Sequence, residues 1–179
     1  MNSEAARLIR HVSPTAVVKT LNAILVFAVA FASVGAAQAR PPVRTTGPGY
    51  DGAIVERGAH PGGRNSVNAA LGWTPTENDV REAEKLLPTY LVSPEAALKL
   101  RHTRIASQLG RYKRQYWGER NGSRRLIRLL FYHEETPVVQ KGAWLRTAVS
   151  VSGGGDRYFR VTYEMDRKRF TNLWVNTPE

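Results

Sequence analysis

Cysteine is absent from all 179 residues. That excludes disulfide staples, thiolate metal sites, thiol catalysis and a lipid anchor attached through cysteine. Histidine is scarce, and His60, His102 and His133 stand at no metal-ligand spacing from one another. Glu134-Glu135 beside His133 reads as a charged strand end rather than a metal site. There is no G-x-S-x-G elbow, and Gly153-Gly154-Gly155 lacks the lysine and following helix of a phosphate loop. No metal, cofactor or catalytic constellation is expected. Acidic residues are also few, 15 against 26 Lys and Arg, for a formal net charge of +11. Such a chain attracts anionic partners: nucleic acid, phospholipid or lipopolysaccharide head groups, acidic polysaccharide, acidic proteins.

Long apolar runs are missing too, with one partial exception. Arg7, Arg10 and Lys19 precede an uncharged stretch over residues 21–34, and Ala37-Gln38-Ala39 follows with small residues at the −3 and −1 positions. This is the pattern of a secretory signal over residues 1–39. The apolar run falls short of the roughly 20 residues that span a bilayer. The alternative is an uncleaved membrane anchor that extends the run through Ala39. Cleavage removes Glu4 and three basic residues, lowering the net charge by two. The expectation is a periplasmic or secreted protein. Export sets nucleic acid aside as a partner, because most of it stays on the other side of the membrane.

Residues 40–72 hold few large apolar side chains and many breakers, including Pro41-Pro42, Gly47-Pro48-Gly49 and Pro61-Gly62-Gly63. Their composition predicts a flexible leader. A single domain is expected over residues 73–179. Thr74-Pro75-Thr76-Glu77 reads as a capping box, followed by Val80, Ala83, Leu87, Tyr90 and Leu91 at helical spacing. Pro88 should end or kink that helix. Ser93-Pro94-Glu95 starts a second, with Leu98, His102, Ile105 and Leu109 as its stripe and Gly110 as its stop.

From Arg111 the period changes to two. Asn121-Gly122 predicts a type I′ hairpin that sets Tyr116 opposite Ile127, Arg114 opposite Leu129 and Tyr112 opposite Phe131. A second hairpin is expected around Gly153-Gly154-Gly155, joining residues 144–152 to 157–165 and setting Val149 against Phe159. A last strand follows over residues 169–176. The predicted fold class is α+β: one or two N-terminal helices packed on a curled antiparallel sheet of about five strands in a meander, the arrangement of cystatin-like folds. Element order alone gives that comparison, and it carries no function.

Tyr112-Lys113-Arg114-Gln115-Tyr116, Trp144, Gly153-Gly154-Gly155, Tyr158-Phe159 and the ending from Phe170 to Asn176 resemble a group of small exported bacterial proteins. The group's usual ending is valine-asparagine-glycine, whereas Val175-Asn176 is followed here by Thr177. The resemblance covers roughly the C-terminal half and implies no activity.

The candidate site is the sheet face turned away from the helices. The expected register puts Arg128, Arg146 and Arg160 there, with Trp117, Tyr158, Phe170 and Trp174. Arginine planes over aromatic rings suit phosphates, carboxylates or planar rings. The plainer reading is that arginine stems shield apolar rings on a solvated face. Arg114 is separate. It lies among Tyr112, Tyr116, Leu129 and Phe131 on the core face, where it needs a partner such as Glu82 or Glu84. The sequence points to an exported, non-enzymatic binding module for an anionic envelope component or acidic protein. The rival is a small periplasmic hydrolase or isomerase with a pocket between helices and sheet. A deep pocket where His133, Arg114 and a carboxylate converge would favour the rival.

Overall fold

Two short strands open the described residues where composition predicts a flexible leader. The structure, a computed structural model, describes residues 40–59 and 72–178. The expected export signal and residues 60–71 of the expected leader lie outside the described residues. Strands β1 (Val43–Gly47) and β2 (Tyr50–Ile54) form a hairpin, with Gly49 at φ +78° in its turn. Helices α1 (Glu77–Leu91) and α2 (Pro94–Leu100) come next, then β3 (Tyr112–Asn121) and β4 (Arg124–His133). A four-residue helix α3 (Pro137–Gln140) precedes β5 (Tyr158–Glu164) and β6 (Arg169–Val175).

The six strands form one mixed sheet in the order β1-β2-β3-β4-β5-β6. This corrects the predicted fold class of N-terminal helices on an antiparallel meander. Strand β2 pairs with β3 in parallel, Gly52 beside Arg114 and Ile54 beside Tyr116. A parallel pair cannot be closed by a tight turn and needs a long crossover. Both helices lie in that crossover, so they follow the first two strands instead of preceding the sheet. Only β3 to β6 run as an antiparallel meander, and without the expected strand over residues 144–152.

Helix α1 starts one turn-setting threonine later than expected. Thr76 is the N-cap: its hydroxyl accepts from the Asp79 amide at 3.2 Å, and the Asp79 carboxylate accepts from the Thr76 amide at 2.8 Å. Pro88 neither ends the helix nor closes it early. It forfeits one backbone donor, but Leu87 and Leu91 are buried on either side and hold the last turn against the sheet. Helix α2 is capped by Ser93 and stops at Leu100, short of the expected Gly110. Leu98 and His102 are consequently exposed, while Ile105 reaches the core from the turns beyond. Among the described residues no helix is long and apolar enough to cross a membrane.

The β3–β4 pairing is offset by two residues from the expected one. Asn121 faces Arg124, and Gly122-Ser123 makes the loop, with Gly122 at φ +60°. Tyr116 meets Leu129, and Arg114 meets Phe131. An even offset leaves every side chain on its expected face. The second expected hairpin does not form. Residues 146–154 run as an irregular strap beyond a 3-10 turn (Ala143–Leu145). Phe159 pairs with Phe131 and Val175, not with Val149. The buried Gln115 side chain replaces a strand partner. Its Nε2 donates to the carbonyls of Trp144 (2.6 Å) and Thr147 (2.7 Å), and its Oε1 accepts from the Val149 amide at 2.9 Å. Backbone groups that would otherwise seek a ladder are thereby satisfied.

Two cores result. The larger lies between the helices and one sheet face and holds Val80, Leu87, Tyr116, Leu129, Phe131 and Val161 among others. The smaller lies on the opposite face beneath the strap, with Ala53, Val55, Trp117, Leu130, Tyr132 and Trp144.

Candidate anion-binding cleft

The strap covers only part of the second sheet face. Farther along β4 and β5 the face opens into a cleft of about 360 Å³ lined by Lys99, Arg128, Arg160, Thr162, Asn172, Leu173 and Trp174. Sheet register explains the grouping. Arg128 lies opposite Thr162, and Arg160 lies opposite Trp174, so cross-strand neighbours share one face.

The Arg160 guanidinium sits 5.7 Å from the centre of the Trp174 ring, within cation–π range, and Trp174 is 53% exposed. Arg128 is held from the side. Its Nη2 lies 2.8 Å from Glu119 Oε2, and the other carboxylate oxygen accepts from Trp117 Nε1 at 3.2 Å. Lys99 arrives from α2 and donates to the Leu173 carbonyl at 3.4 Å, beside the β6 edge. Among the described residues Lys99 and Arg160 form no ion pair, and no carboxylate lines the cleft. The site therefore carries three cationic groups, of which Glu119 offsets one. Like charges held together at a partly enclosed surface raise the local positive potential and concentrate anions.

A β-bulge shapes the wall of this cleft. Between the pairs Arg160–Trp174 and Thr162–Thr171 the β6 strand carries an extra residue, and Asn172 sits at φ +54°. Strict alternation would put Phe170, Asn172 and Trp174 on one face. The bulge instead turns Phe170 into the larger core, where it stacks on Tyr90 at 5.1 Å, and turns Leu173 inward beside it. Asn172 and Trp174 remain at the cleft.

Of the residues singled out from sequence, Arg128, Arg160 and Trp174 come together here. Trp117 is buried under the strap, where its Nε1 donates to Glu119. Tyr158 is half-buried at the edge of the smaller core, 6.3 Å from the Tyr132 ring. Arg146 lies on no strand: it is exposed beyond the 3-10 turn and donates to the Lys141 carbonyl. Phe170 is in the opposite core. Lys99, Thr162 and Asn172 were not anticipated. Thr162 was legible as the residue two beyond Arg160 on the same face, but no sequence signal brings α2 to the edge of β6.

Arg114 belongs to the larger core and is fully buried. Its Nε lies 3.1 Å from Glu84 Oε1, its Nη1 donates to the Tyr112 carbonyl at 2.6 Å, and its Nη2 donates to the carbonyls of Gly49 and Leu109 at 3.3 Å each. Glu84 also accepts from the Tyr116 hydroxyl at 2.8 Å. His133 is elsewhere, edge-on to Tyr112, and Glu134 and Glu135 are both engaged by Arg111. Among the described residues no group of three or more His, Asp or Glu is placed to hold a metal ion. No protein-family model matches the chain, and no curated protein or solved structure matches it either.

Proposed function

We propose that the folded part of this chain is an exported, non-enzymatic binding module for an anionic partner, and that the cleft of Lys99, Arg128, Arg160 and Trp174 is its binding site. One observation carries the reading: three basic side chains from α2, β4 and β5 line a cleft with no carboxylate in its wall. Cations held together this way repel one another, and an anion between them relieves that repulsion. The stack of Arg160 on Trp174 adds an amphipathic ring at the rim. The rival reading is an enzyme with a pocket between helices and sheet; a hollow of about 820 Å³ does lie between the α1–α2 junction and β6, but Arg114, Glu84 and His133 do not line it, and Arg114 and Glu84 are buried against each other.

Binding to lipopolysaccharide, anionic lipid vesicles and acidic glycans at low and high salt tests the proposal. Arg160→Gln and Trp174→Ala are expected to weaken binding while circular dichroism stays unchanged, and Arg146→Gln is expected to bind as wild type does. Exposed charges are screened over about 8–10 Å at ordinary ionic strength, so high salt should weaken binding. The Trp174 contribution should persist. Wild-type affinity in Arg160→Gln, or no binding of any anion by wild type, overturns the reading.

A further inference from the structure

Resting on that anion-binding reading, we infer that the cleft takes an acidic sugar, a ring carrying carboxylate or phosphate as in an acidic glycan, and that Asn172 reads its hydroxyl groups. Asn172 occupies the left-handed region at φ +54°, one of two non-glycine residues at positive φ among those described. Glycine takes this conformation without a steric penalty, yet the chain places an amide there, in the wall of a charged cleft. Strained positions of this kind gather at ligand sites. The bulge that creates the strain is also what leaves Asn172 and Trp174 together at the cleft while Phe170 and Leu173 turn inward.

The rest of the lining narrows the ligand. An amide both donates and accepts, and so does the hydroxyl of Thr162. Beside Lys99, Arg128 and Arg160 they add neutral hydrogen-bonding capacity that a bare inorganic anion does not need. Trp174 supplies a ring on which a sugar can lie. A lipid surface fits less well, since it rewards apolar side chains that enter the bilayer boundary. Leu173 is only 4% exposed, which leaves Trp174 as the sole apolar side chain at the cleft able to do so.

Calorimetric titration of the folded protein tests this with four probes: an oligogalacturonate, a hexose phosphate, inorganic phosphate, and phosphatidylglycerol vesicles. At least one of the two acidic sugars should bind about tenfold or more tighter than inorganic phosphate. Asn172→Gly suits the left-handed backbone, so its melting temperature should stay at or above that of wild type. It should lose several-fold affinity for the acidic sugar and keep its affinity for inorganic phosphate. Arg160→Gln should weaken both. The inference is overturned if neither acidic sugar binds tighter than inorganic phosphate, if vesicles alone bind, or if Asn172→Gly leaves acidic-sugar affinity unchanged. In those cases phosphate or vesicle binding that responds to Arg160→Gln keeps the broader anion reading. If no probe binds, both fall.

Discussion

Arg114 is fully buried on the core face of β3, with its guanidinium 3.1 Å from Glu84. An arginine alternating with Tyr112 and Tyr116 on a core-facing strand demands a partner, and that demand was legible. Which partner was not, because sequence does not give the rotation of a helix over a sheet: Glu84 faces Arg114, while Glu82 reaches outward to Lys168 at 2.7 Å. Removing one member of a buried ion pair costs about 3–5 kcal/mol. Arg114→Ala also strips hydrogen bonds from the Tyr112, Gly49 and Leu109 carbonyls, so we expect a loss in that range by urea unfolding. A change inside about 0.5 kcal/mol, the ordinary surface range, would contradict the burial. Glu84 makes a second expectation. Burial raises its pKa above the usual 4.5, outweighing the attraction of Arg114 and the Tyr116 hydroxyl. The folded state then holds the Glu84 proton to higher pH than the unfolded state does. This contribution to stability is present at low pH and is lost as pH rises through the raised pKa. Asp51, Glu134 and Glu164 have lowered pKa values and act in the opposite sense, so the comparison must isolate Glu84. From about pH 4.5 to neutral, wild type should lose stability relative to Glu84→Gln, and the reverse trend would remove the assignment.

At the scale of elements, the β1–β2 hairpin is the largest departure from the sequence reading, and the reason is physical. Its strands are five residues each, broken by glycines, and a parallel partner leaves no local pattern in sequence. Gly52, which looks like a breaker, is small because the Tyr116 ring lies against it: a Cβ there would sit 2.3 Å from the ring. Gly52→Ala should therefore cost about 1–3 kcal/mol by overpacking, and an unchanged urea midpoint would show that Tyr116 moves aside freely. A chain that starts at Gly72 would lose the burial of Ala53, Ile54 and Val55 and uncover one edge of β3. Each fully buried aliphatic side chain is worth about 1.5–3 kcal/mol, so that chain should unfold far below the full domain. Melting within a few degrees of the full domain would mean the hairpin is an ornament. Strands β4 to β6 were legible because alternation and turn glycines are local signals. The strap was not, since Val149 and Val151 alternate as a strand would, and the distant side chains of Gln115, Tyr132 and Asn176 redirect them. The bulge was invisible for the same reason: it is set by which of Phe170, Asn172 and Leu173 can be buried, a decision made by the opposite core.

For the whole molecule, the sheet has two unlike faces. One is covered by helices and contains the buried Arg114–Glu84 pair. The other is divided between the strap and an open basic cleft at the β4–β6 end, away from β1. That division bears on the N-terminus. Arg40 reaches Glu56 at 3.7 Å, and β1 begins at Val43 on the sheet's outer edge. A cut after Ala39 thus falls just ahead of the first strand and takes no described strand with it. Ala37-Gln38-Ala39 places small residues at −3 and −1 of that bond, so if the chain is exported as proposed, its processed form is expected to begin at Arg40. N-terminal sequencing of the protein from a cell-envelope fraction checks this. A chain starting at Met1 would show the uncleaved anchor and would confine the cleft to partners within reach of a tethered domain.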